Sequence, residues 1–100
     1  MTLDEARAAI VKTLQKVQNV SGLPCPALSG REVPKRVLEQ FDSTVWPVAT
    51  SWIAKELGVK IENDVHLFGG KNGGPLLTIN QSADLICAYM AEQEYAVAAE

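Results

Sequence analysis

The sequence predicts an all-α fold: a four-helix bundle of three main helices plus a short one, with a long loop between the first and second. Three observations predict it. Apolar residues recur at intervals of three and four in three separate stretches. Two of those stretches open on a Thr followed three residues later by Glu or Gln, and no stretch alternates apolar and polar residues as a half-buried strand does. With 100 residues, 47% hydrophobic and 21% charged, the chain has apolar material for one core and is too short for two, so residues 1–100 are read as a single domain.

The first helix follows from Thr2 and Glu5, which have capping-box spacing, and from Leu3, Ala6, Ile10, Leu14 and Val17, which fall on one face. Ser21-Gly22 ends it, because Gly accepts the left-handed turn past a helix. Residues 22–34, "GLPCPALSGREVP", hold two Gly and three Pro and read as a long irregular connection pinned by Leu23, Leu28 and Val33. The stretch "KRVLEQF" after Pro34 forms a turn of helix before Phe41.

Ser43 is the expected N-cap of the next helix, its hydroxyl accepting from a backbone N–H two or three residues on. Trp46, Ala49, Ile53 and Leu57 make its apolar face, and Gly58 stops it. Pro47, the fifth position of a helix starting at Ser43, makes the first turn irregular. "VKIENDVHLF", residues 59–68, is expected to be short and partly helical with Ile61, Val65 and Phe68 inward, and "GGKNGGP", residues 69–75, breaks the chain. Thr78 and Gln81 repeat the capping box, and Ile79, Ala83, Ile86 and Met90 form the buried stripe of a last helix, which residues after Met90 either prolong or fray from.

Function classes fall away in turn. A net charge of -3 and no Lys/Arg-rich stripe argue against nucleic acid as a partner. No apolar run approaches the roughly 20 residues that span a bilayer, and the N-terminus has no signal-peptide pattern, so a soluble, cytoplasmic, monomeric protein is expected. Cys25 and Cys87 have no CxxC partner and read as reduced thiols, one in a loop and one on a helix; His66 is the single imidazole. No metal site or catalytic dyad is expected, and the scattered carboxylates form no acid/base pair, so the chain reads as no enzyme. The Gly-rich segment lacks the order of a phosphate-binding loop and reads as a mobile surface loop. Trp46 and Trp52, six apart, are expected on different faces, one in the core and one exposed.

"FDST", with Asp42-Ser43 at the head of a helix, Leu57 and then "GVKI" ending at Ile61, and "LLTINQSADLICAYM" downstream together resemble the acyl carrier protein family over most of residues 3–90. The resemblance extends to small freestanding bacterial carrier-like proteins with a Gly-containing insertion before the last helix. It implies an acyl-carrier-like four-helix bundle that carries an acyl or related carboxylic cargo as a thioester on a 4'-phosphopantetheine arm attached to Ser43, with Asp42 beside it. The implied partners are a phosphopantetheinyl transferase and the enzymes that load and unload the cargo in lipid or secondary-metabolite biosynthesis. A phosphodiester at the positive end of a helix is favoured by roughly 0.3 to 1 kcal/mol. The chain departs from the family at Thr44, where a Leu helps seat the transferase, at Pro47, and in "TVWPVATSW", which has no carboxylate. Contacts through Thr44, Val45, Trp46 and Val48 therefore replace the family's ion pairs with its enzymes, and fatty-acid synthase is expected to be a poor partner. The alternative reading is an unmodified carrier-fold module that binds partner proteins through the same surface.

Overall fold

Helix α1 (Leu3–Val20) begins as its sequence dictates: the Thr2 side chain accepts from the Glu5 N–H at 3.2 Å, and the chain leaves through Ser21 and a left-handed Gly22 at φ 71°. The computed structural model describes residues 2–62, 65–70 and 74–99, with side chains through Glu92. Within them lie three more helices, the single turn α2 (Pro34–Val37), α3 (Trp46–Leu57) and α4 (Ile79–Ala99), and one isolated bridge between Gly69 and Leu76. The fold is all-α among the described residues.

Helix α1 packs against both α3 and α4. Its stripe Ala6, Ile10, Leu14 and Val17 is buried, whereas Leu3 stands 42% exposed, outside the cover of the other helices. Ala49 and Ile53 from α3, and Ile79, Ala83 and Ile86 from α4, complete the helical part of the core. Leu38, Phe41, Leu67 and Phe68 complete it from the connections. Phe41 meets Phe68 edge-on at 5.1 Å and 86°, the geometry that the ring quadrupoles favour.

Polar side chains fasten the long connections to this core. The buried Gln18 amide donates to the Glu39 carbonyl at 3.0 Å, and Ser82 Oγ donates to the Leu67 carbonyl at 2.6 Å. The loop between α1 and α2 is held by half-buried Cys25 and Leu28 packed on the core and by Glu32. That carboxylate accepts from the N–H groups of Ser29 and Gly30, each at 2.9 Å, and from the Ser29 hydroxyl at 2.8 Å. The Gly30 N–H, with the Ser29 hydroxyl helping, lowers the Glu32 carboxyl to about 2. The same loop reaches the start of α4, where the Asn80 N–H donates to the Gly30 carbonyl at 2.8 Å and the Ile79 N–H to the Glu32 carbonyl at 3.0 Å.

Helix α4 carries the full capping box: Gln81 N–H to Thr78 Oγ1 at 3.1 Å, and Thr78 N–H to Gln81 Oε1 at 2.8 Å. The helix runs past Met90 to Ala99. Two expectations are corrected. Residues 59–62 and 65–68 form no helix; Leu67 joins Phe68 in the core, while Ile61 and Val65 are half-buried. The Trp residues do not divide into one buried and one exposed: both are half-buried against the core, Trp46 at 6.1 Å from Phe68 and Trp52 beneath Lys16 Nζ at 5.1 Å. A long indole spans the boundary of so small a core whichever side of the helix it leaves from.

The Gly-rich segment is described only at its ends, so its expected mobility lies outside the described residues. At those ends Gly70 N–H donates to the Pro75 carbonyl at 3.0 Å and Leu77 N–H to the Phe68 carbonyl at 3.0 Å. Gly69 is required there: φ is 91°, and a Cβ would stand 2.5 Å from the Pro75 carbonyl oxygen.

Candidate functional site

The chain enters α3 differently from the sequence expectation. The helix starts at Trp46 with Val45 in the N-cap position, so Ser43 stands two residues before the cap and does not cap it. Pro47 is the reason. A helix capped at Ser43 would need the residue at 47 to donate to the Ser43 carbonyl, and Pro has no N–H and a ring that clashes with that carbonyl. Shifting the start to Trp46 moves Pro47 into the first turn, where the missing donor costs nothing.

Residues 43–45 form the leading turn, closed by Val45 N–H to the Asp42 carbonyl at 3.0 Å. The side-chain acceptor of this turn is Asp42, whose Oδ1 takes the Thr44 N–H at 3.0 Å and also the Thr44 hydroxyl. Those two donors, the hydroxyl first, hold the Asp42 carboxyl below its ordinary value. Ser43 is exposed, and its hydroxyl has no hydrogen-bond partner among the described residues. Because Ser43 stands ahead of the N-cap, the helix macrodipole acts on it less strongly than on the cap itself, the effect being confined to about the first turn.

Ser43 also lines a groove of about 990 Å³ between α3 and residues 59–61 and 65–70. Helix α3 gives the groove a flank beside its core face: Pro47, Thr50 and Ser51, and Ala54 and Lys55 follow one another at turn spacing, with the core-packed Trp46 at their start. The opposite wall includes Ile61, Val65 and Phe68, with His66 and Lys60 among the lining residues. Trp46 contributes a buried indole N–H that has no acceptor among the described residues.

The residues expected to meet partners separate in the structure. Thr44 and Val48 are exposed, Val48 at 46%, whereas Val45 and Trp46 are half-buried and packed on the core. The groove face of α3 escaped sequence reading because Thr, Ser, Ala and Lys at turn spacing look like an ordinary solvated flank. The signal that could have located the helix start was present: Asp42-x-Thr44 is an Asx-turn pattern, and Pro47 favours the first turn. Both cysteines are free, and burial raises the Cys25 thiol. No three His, Cys, Asp or Glu side chains among the described residues are placed to hold a metal ion, and no helix is long and apolar enough to cross a membrane. No protein-family model, curated protein or solved structure matches the chain.

Proposed function

We propose that the chain is an acyl carrier protein in which Ser43 bears 4'-phosphopantetheine and presents a thioester-linked acyl or related carboxylic cargo to other enzymes. The observation that carries the reading is the state of the Ser43 hydroxyl: exposed, unbonded among the described residues, beside a groove, with the work of capping the turn done by Asp42. A Ser that caps a helix spends its oxygen on a backbone N–H. The residues around Ser43 suit the group: the groove beside it offers it a bed.

Ser43 Oγ attacks the phosphorus of the pantetheine-side phosphate of coenzyme A. One P–O bond forms to Ser43, the pyrophosphate P–O bond breaks, 3',5'-adenosine diphosphate leaves, and the hydroxyl proton passes to the transferase. The arm supplies a thiol that holds the cargo as a thioester. This chain's part is to offer the hydroxyl, to keep the turn rigid through Asp42 and Thr44, and to expose Thr44 and Val48 beside it for the transferase and acyl-handling enzymes.

Co-expression with a broad-specificity phosphopantetheinyl transferase is expected to add the mass of one arm to the wild type and none to Ser43→Ala. An unchanged wild-type mass would remove the carrier reading. It would favour an unmodified module that binds proteins through α3, for which the exposed Val48 is the supporting feature.

A further inference from the structure

The chain reaches Ser43 through a strained residue. Gln40, three positions before it, has φ 57°, the one positive value outside glycine among the described residues. That conformation brings Cβ close to the carbonyl oxygen, and Gln lacks the short polar side chain with which Asn or Asp settles there. The Gln40 side chain is exposed, so no core packing of its own offsets the strain. At its other positive-φ positions, among them Gly22, Gly58 and Gly69, the chain carries Gly. The neighbours of Gln40 hold the bend from both sides. The Gln18 amide, 1% exposed in the last turn of α1, donates to the Glu39 carbonyl at 3.0 Å. Phe41 is buried edge-on against Phe68, and the Asp42 N–H donates back to the Gln40 carbonyl at 3.1 Å.

We propose that Gln18 and Gln40 are positioning residues for arm transfer: the Gln18 amide keeps Gln40 left-handed, and that bend sets the direction in which Asp42-Ser43 leaves the core toward the transferase. The inference rests on the carrier reading and goes beyond it, because both residues act through the backbone and not on the reacting oxygen. Strain held in place by its surroundings is a means of fixing one shape at a working site. Gly at position 40 takes the bend without strain and leaves it as freely, whereas a clamped Gln keeps a single shape. Once the clamp is lost, the strain drives the turn to other shapes and the fraction competent for transfer falls. The apparent affinity of the transferase for the chain falls in proportion, so the effect enters KM and spares kcat.

The test measures initial rates of arm transfer from saturating coenzyme A against the concentration of the full chain, at a temperature where circular dichroism shows each variant folded. Gln18→Met keeps the length of the side chain and removes the donor; KM for the chain is expected to rise about five- to tenfold with kcat unchanged. Gln40→Val alters an exposed position and puts a β-branched residue at the bend, so it is expected to raise KM as much, and the test stands if Gln18→Met unfolds. Adding Gln40→Gly to Gln18→Met removes the strain and is expected to restore KM in part. Thr78→Ala, which loses the cap of α4, controls for lowered stability and is expected to keep the wild-type KM. A wild-type KM in Gln18→Met and Gln40→Val, or an equal rise in Thr78→Ala, overturns this inference and leaves the carrier reading standing. A wild type that accepts no arm removes the carrier reading, and the inference with it.

Discussion

The starts of α3 and α4 solve one problem in opposite ways. Both need to satisfy the free N–H groups of a first turn, and both have a hydroxyl residue near at hand. At α4, Thr78 and Gln81 spend their side chains on each other's backbone, and the helix begins at the next residue. At α3 the N-cap is Val45, without a side-chain hydrogen bond; Asp42 serves the turn before it, and Ser43 is left free. The first arrangement is what a scaffold requires. The second leaves an oxygen available for chemistry that the helix itself does not need. Helix α1 sides with α4, since Thr2 caps it, so the two helices flanking the long connections are both closed by their own hydroxyls.

Substitutions in the shared core set the scale against which this contrast is measured. Ile53→Ala in α3 and Ile86→Ala in α4 each remove a fully buried side chain and are expected to destabilise by about 2 to 5 kcal/mol in denaturant unfolding. Similar losses at the two sites would show that α3 is as firmly part of the core as α4, whatever the state of its leading turn. Thr78→Ala is expected to cost about 1 kcal/mol, the loss of a working cap. Ser43→Ala is expected to change stability by less than about 0.5 kcal/mol, because no structural bond is removed. A loss near that of Thr78→Ala would break the contrast and return Ser43 to the role of a cap.

The clasp between the long loop and α4 gives a pH test of the scaffold side. Glu32 has its carboxyl lowered in the fold to about 2, so its contribution is fully present above the ordinary carboxyl value and is lost as pH falls from there toward about 2. The melting temperature is expected to fall over that window, and to fall less steeply in Glu32→Gln. Because this carboxylate is near solvent, the effect is the smallest of the set.

Much of this arrangement is legible in the sequence, and the exceptions have physical causes. The stripes Ala6, Ile10, Leu14, Val17 and Ile79, Ala83, Ile86 are long enough for periodicity to identify the helices, and Thr-x-x-Glu/Gln marks where they start. Helix α3 is shorter, and its start depended on weighing a Ser that can cap against a Pro that cannot sit beyond the first turn; the Pro prevails because a lost hydrogen bond and a steric clash exceed the value of one cap. Residues 59–68 carry apolar residues at spacing compatible with a helix, but their burial is set by Phe41, Trp46 and Ser82, partners distant in sequence that no local pattern reveals. The groove is of the same kind: its walls come from two segments, and only folding brings Ser43 and Thr50 into one groove with Ile61 and Val65.

The most direct measurement is fragment mass after the transferase reaction. Trypsin cleaves after Arg36 and Lys55, releasing Val37–Lys55, which contains Ser43. This fragment alone is expected to carry the added arm, at full conversion. An arm on any other fragment, or a Val37–Lys55 fragment of unchanged mass under conditions that modify a control carrier, would contradict the account.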